Sequence, residues 1–209
     1  MRAAMLALTL AAPLAMNAKP AGETPVTIAP FSVEKPRDGL PEGWRELVPP
    51  HAKPPRFALV AESGTTVLRV ASQGEAGAAA HEVRVGAARR PILAWRWKVD
   101  HVVERADLAT KAGDDFAARV YVFFDVPASE LSFGDRVKLL LARLLYGEEL
   151  PSAAICYVWD NRHPPGTAAW SPYTDRVRIV VLESGAERAG QWTEERRDLI
   201  ADYRAAFGA

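Results

Sequence analysis

The sequence predicts a mostly β fold, a jelly-roll-type β-sandwich with an inserted amphipathic helix and a C-terminal helix. Three observations lead there. Short segments along the chain alternate apolar and polar side chains with the period of two that puts them on opposite faces of a strand. Turn-forming residues separate these segments. Helical spacing shows only at 131–146 and at 194–207, so helices are expected as an insertion and a tail.

The chain has 209 residues, 49% hydrophobic and 25% charged, which suits one domain with a real core. The formal net charge is zero, which gives no basis for nucleic acid or an anionic membrane surface as the main partner. Residues 1–18 carry Arg2 and then an apolar run broken by Pro13, the pattern of a secretory signal peptide. The run is too short to span a bilayer comfortably, so no membrane span is expected after cleavage. Removal of this leader takes away Arg2 and leaves 25 basic against 26 acidic residues. The expected location is the periplasm, with 19–209 forming a single β-sandwich domain. Cys156 is the only cysteine. No intrachain disulfide can form, and its run A-A-I-C-Y-V-W reads it as a small buried apolar residue.

The elements follow in order. Nine of the sixteen prolines fall in 19–55, which predicts extended connection and short edge strands, one of them at 28–33. The segment 40–44 reads as a turn that docks Trp44 on the core. Strands at 57–62 and 66–71 flank the turn signal E-S-G-T and form a hairpin. A further strand is expected at 80–85. In 91–99, Leu93, Trp95, Trp97 and Val99 share one face, while Ala94, Arg96 and Lys98 share the other. A polar connection, 101–112, reads as a functional loop. It leads into 113–125, taken as the central strand. There Phe116, Ala118, Val120, Val122 and Phe124 form an apolar row, and Asp115, Arg119 and Tyr121 stand in a mixed one. The inserted helix covers 131–146, and a strand follows at 153–159. The segment 160–173 reads as loop, 176–182 as the last strand, and Thr193 as the cap of a helix over 194–207.

The strings W-R-W-K-V, G-D-D-F-A-A-R-V-Y-V-F-F-D, R-V-R-I-V-V-L-E-S-G and Q-W-T-E-E-R-R-D-L-I-A-D-Y-R-A-A-F-G resemble the bacterial domain of unknown function 3047 family (DUF3047). The resemblance runs from about Ile28 to Gly208. It implies an exported or envelope protein with a mostly β domain, and it brings no catalytic residues with it.

The candidate site is a face of cations and rings: Arg96, Lys98, Asp115, Arg119, Tyr121, Tyr157, Trp159 and Arg178. Rings stack on apolar sugar faces, and guanidinium forks grip carboxylates at two points. Asp115 is expected to orient Arg119. The competing reading is an ordinary solvated sheet face with cross-strand ion pairs. The function expected is an exported, non-catalytic binding domain for a glycan or other polar or acidic ligand. The alternatives are a polysaccharide-active hydrolase or lyase, and a structural or assembly protein of the cell envelope. Asp115 with Asp160 or Glu183 would be the acids of a hydrolase. No cofactor and no catalytic residue is assigned. The four histidines lack zinc-ligand spacing, and Asp114-Asp115 lacks the spacing of a calcium loop, so no metal is assigned. An envelope protein partner remains open.

Overall fold

The structure, a computed structural model, describes residues 24–49, 51–125 and 153–208. The leader 1–18 and the helix expected at 131–146 lie outside the described residues. The fold is mostly β with several sheets. It divides into two compact units between Val85 and Gly86. No helix among the described residues is long and apolar enough to cross a membrane.

The first unit holds β1 (Arg37–Asp38), β2 (Trp44–Leu47), β3 (Arg56–Glu62), β4 (Thr65–Ala71) and β5 (Ala78–His81). The expected hairpin is β3–β4, antiparallel from Arg56↔Ala71 to Glu62↔Thr65. Ser63 and Gly64 both take positive φ, 51° and 82°, the type I′ geometry whose twist matches that of the strands. β1 adds to β3, and β2 pairs separately with β5. Phe57 and Leu59 are buried. Instead of a strand at 28–33 there is a single 3₁₀ turn, Phe31–Val33, set up by Pro30. The strand expected at 80–85 is β5, which ends at His81.

The second unit holds β6 (Ile92–Trp97), β7 (Ala118–Phe124), β8 (Ala153–Asp160), β9 (Ala168–Ser171), β10 (Thr174–Ser184), β11 (Thr193–Asp198) and α1 (Leu199–Phe207). Four strands form one sheet in the order β7-β8-β10-β9. β7 and β8 are antiparallel, but β8 and β10 are parallel. An all-antiparallel jelly roll contains no such pair. The middle of the sheet is β8, not β7, and every residue of β8 is buried. The reason is visible in its composition: A-A-I-C-Y-V-W has no charge before Asp160, so both faces can be covered.

One face of the sheet presents Cys156, Val158, Ile179 and Val181 to Ala106, Leu108 and Phe116. The 101–112 connection is therefore partly core. Gly113 closes it: its carbonyl accepts from Asp107 N–H at 2.7 Å, and a Cβ there would lie 2.5 Å from Asp107 Cβ. The other face presents Ile155, Tyr157 and Trp159 to Trp97 and Val99, with Trp95, Leu199, Tyr203 and Phe207 packed around them. The expected core face of β6 is thus correct. Phe116 is not in the row with Ala118. The strand begins only at Ala118, and the Phe116 ring packs on the opposite face.

The helix expected over 194–207 is half strand. β11 pairs antiparallel with β6 from Thr193↔Trp97 to Asp198↔Ile92. Thr193 is no helix cap; its hydroxyl donates to Trp97 O at 3.2 Å, and it is buried. The cap is Asp198, whose Oδ1 accepts from the N–H groups of Ile200 and Ala201, both at 3.0 Å. Gly208, at φ 76°, ends the helix in the left-handed region. Asp198→Ala is expected to cost ~0.5–2 kcal/mol in urea denaturation. Thr193→Ser, which keeps the hydroxyl, is expected to preserve the bond to Trp97 O and cost less.

Candidate functional site

The predicted site residues do not gather on one face. Arg119 and Tyr121 lie on β7 opposite Val158 and Cys156. Tyr157 and Trp159 point the other way and are fully buried. Arg178 pairs in register with Ile155, so it shares the Tyr157 side. Arg96 and Lys98 flank the Trp192 ring, with charges 5.1 Å and 5.3 Å from its centroid. Three separate surfaces thus replace the single groove.

Arg119 is largely satisfied. Its guanidinium donates to Asp114 Oδ1 at 3.0 Å, to Asp114 O at 2.6 Å and to Tyr121 OH at 3.3 Å, and it lies over Phe116. Asp114 orients it, not Asp115, which pairs with Arg105 at 2.8 Å. The turn at 113–117 rotates Asp115 out of the strand's alternation. Burial pushes the Tyr121 hydroxyl up to about 12, and the Cys156 thiol also to about 12, so neither ionises near neutrality. Cys156 is a buried free thiol. The Tyr121 and Phe123 rings stack at 5.8 Å and stay exposed.

The acids considered for hydrolysis fall in separate settings. Asp160 accepts from His163 Nδ1 at 2.7 Å and from two backbone N–H groups of its own loop. Glu183 pairs with Arg188 at 2.6 Å. The β-bulge between Val181 and Glu183 turns Glu183 toward the Trp159 side.

A concave site forms where β9, β10, β11 and α1 meet, enclosing about 400 Å³. Arg178, Glu195, Arg197 and Asp202 are its charged lining, with Val180, Leu182, Ala205 and Ala206 among the apolar walls. Of the predicted residues only Arg178 belongs to it. Asp202 was missed because the sequence does not say which strands the C-terminal helix packs beside, and Glu195 and Arg197 because 193–198 reads as helix. The signal that could have found Glu195 and Arg197 is T-E-E-R-R-D itself: its alternate residues Thr193, Glu195 and Arg197 face Trp97, Trp95 and Leu93.

The charges in this cleft have different duties. Arg197 grips Asp202 at two points, 2.9 Å and 2.5 Å, and Tyr157 OH donates to the same carboxylate at 2.6 Å. Burial, then the bond to Asp202, raises the Tyr157 phenol far above its ordinary value, so it stays a donor. This triad ties α1 to β8 and β11. Glu195 accepts from Trp97 Nε1 at 3.1 Å. Burial, and next the Glu183 carboxylate, raise the Glu195 carboxyl above its ordinary value. Arg178 differs from both. Its Nη2 donates to Ala168 O at 3.2 Å, and its guanidinium lies 4.9 Å from the centroid of Trp170, its cross-strand neighbour. Trp170 is 41% exposed. Among the described residues no carboxylate pairs with Arg178. No group of three or more His, Cys, Asp or Glu side chains placed to hold a metal occurs among the described residues.

A family described as "Protein of unknown function (DUF3047)" matches residues 42–209. The chain belongs to this family. Comparison with curated proteins and with solved structures returns no match. In this DUF3047 chain the matched range includes every residue of the cleft.

Two outcomes test the polar network. Tyr157→Phe is expected to lower stability by ~1.5–3 kcal/mol, as a buried bond to a charged acceptor is lost; the urea midpoint reports it. Glu195 has a raised folded pKa, so its protonated form favours the fold. That contribution is full below the ordinary value of 4.5 and is lost as pH rises through the folded value. Glu195→Gln is therefore expected to gain in Tm relative to wild type as pH rises from below 4.5 to neutral. Parallel Tm curves for the two proteins would contradict this.

Proposed function

We propose that this DUF3047 protein is an exported, non-catalytic binding domain for an acidic glycan, which it takes in the cleft between β10, β11 and α1. One observation carries the reading: Arg178, a cleft-lining guanidinium without a carboxylate partner among the described residues, lies 4.9 Å from the centroid of the half-exposed Trp170 indole. A ligand carboxylate supplies the missing partner through the remaining N–H donors. A sugar ring has the exposed Trp170 indole beside it. Glu195 and the backbone of the 165–168 segment offer acceptors for hydroxyl groups. Arg197 and Asp202 hold each other and set the cleft's width instead of binding. The leader 1–18 would deliver the domain to the periplasm, where envelope polysaccharides are within reach.

A second reading follows from Glu195. A carboxyl with a raised pKa in a cleft is the character of a general acid, which suits a polysaccharide hydrolase. Its partner in the cleft, Asp202, accepts three hydrogen bonds from Arg197 and Tyr157, which leaves it poorly placed as base or nucleophile. Binding without turnover is therefore the first reading.

Calorimetric titration with short oligogalacturonates is expected to give saturable heat, with neutral oligosaccharides of equal length bound about tenfold more weakly or worse. Arg178→Ala is expected to lose about tenfold or more in affinity, the worth of one charge-assisted contact. Equal behaviour of wild type and Arg178→Ala would overturn the reading. Shortening of the oligosaccharide by wild type, abolished in Glu195→Gln, would establish the second reading instead.

A further inference from the structure

The first unit contains a second cavity of about 260 Å³, built on different chemistry. Three of its walls are rings. Trp44 stacks on His81 with centroids 5.2 Å apart and planes 16° apart, and Phe31 meets Trp44 at 5.2 Å. The positions of these rings follow from local structure. The 3₁₀ turn carries Phe31, and the in-register pair Trp44↔His81 of β2 and β5 sets the other two side by side. Gly43 takes φ 79°, and a Cβ there would lie 3.3 Å from His81 Cε1. The absence of a side chain lets the imidazole close in until its Nδ1 reaches Gly43 O at 2.8 Å. A carbonyl only accepts, so Nδ1 carries the proton of this bond.

The charged groups that line the cavity are both acidic. Glu34 is held by Arg37 at 2.9 Å. Glu42 makes no ion pair or hydrogen bond among the described residues. No lysine or arginine lines the cavity. Ring faces carry negative quadrupole density, Trp most strongly, and an aromatic enclosure with acidic groups attracts a weakly hydrated cation. A primary ammonium keeps its water and gains little from rings. An N-methylated cation has a diffuse charge and an apolar skin, and so gains from both rings and carboxylates.

We propose that the cavity of Phe31, Trp44 and His81 binds a trimethylammonium group, with Glu42 as its counter-charge. The inference is independent of the acidic-glycan reading, whose site lies wholly on residues 165–206. The group occurs both in free choline-like solutes and in zwitterionic lipid headgroups.

Calorimetry on the full chain with choline chloride tests it, beside dimethylbutanol, the uncharged carbon isostere of choline. Saturable binding of choline, at least about tenfold tighter than the isostere, is expected. Glu42→Gln alters only an exposed carboxylate and is expected to weaken choline severalfold. Trp44→Ala is expected to abolish binding, and Trp44→Phe to restore part of it, which separates loss of a ring from loss of fold. Arg178→Ala is expected to bind choline as wild type does. Flotation with phosphatidylcholine vesicles against phosphatidylglycerol vesicles assigns the source: binding to the former alone indicates a headgroup, and choline binding without flotation indicates a free solute. Equal affinity for choline and its isostere overturns the proposal, as does absence of response to both choline and phosphatidylcholine.

Discussion

The second unit depends on the burial of β8 from both sides. All eight of its residues are shielded from water. Its backbone groups find partners in β7 on one edge and β10 on the other. Each face then needs a cover of its own. The 103–116 segment supplies one with Ala106, Leu108 and Phe116, while β6 and α1 supply the other. Two of the buried rings carry polar atoms that cannot be left alone. Trp159 Nε1 donates to Gly185 O at 3.1 Å, and Tyr157 OH donates to Asp202. The second bond pins α1 through a carboxylate that Arg197 also holds. The cleft is the space this pinning leaves between α1 and the sheet margin.

Much of this architecture was legible in the residues. Alternation in P-I-L-A-W-R-W-K-V assigned the inner and outer rows of β6 correctly, and E-S-G-T marked a hairpin whose Ser63 and Gly64 have the required φ. The burial of Cys156 also followed from its neighbours. Strand order did not. Period two says which side chains of one strand share a face, but not which neighbour that face meets. Arg119 and Arg178 look equivalent in sequence, yet they stand on opposite sides of one sheet. β7, with its mixed row, looked central, whereas the unbroken apolar run of β8 was the better sign of the middle.

The 193–198 segment shows how tertiary context overrides local preference. Thr followed by two Glu and two Arg has the appearance of a capped helix start. Pairing with β6 outweighs that preference, since it places Thr193 and the inner-facing carboxylate and guanidinium against Trp97, Trp95 and Leu93. The same pairing puts charged groups into a partly dry setting, and this creates the cleft's chemistry. In the first unit the corresponding oversight was Trp44. It packs on the half-buried His81 and Phe31 and not on a buried core, and this packing leaves a hollow whose charged lining is acidic.

The parallel course of β8 and β10 bears on how the molecule assembles. Two parallel strands cannot zip from a tight turn, and the chain must travel back the full length of the sheet before they meet. β8 also reaches β7 only across the long 125–153 interval, so its partners on both edges are distant in sequence. Such a segment gains little until large loops have closed, which slows the search. Until that moment A-A-I-C-Y-V-W stands as a naked, β-prone, uncharged ribbon, the kind that sticks to its own copies. A chain with this centre is open to self-association for as long as its sheet is unformed.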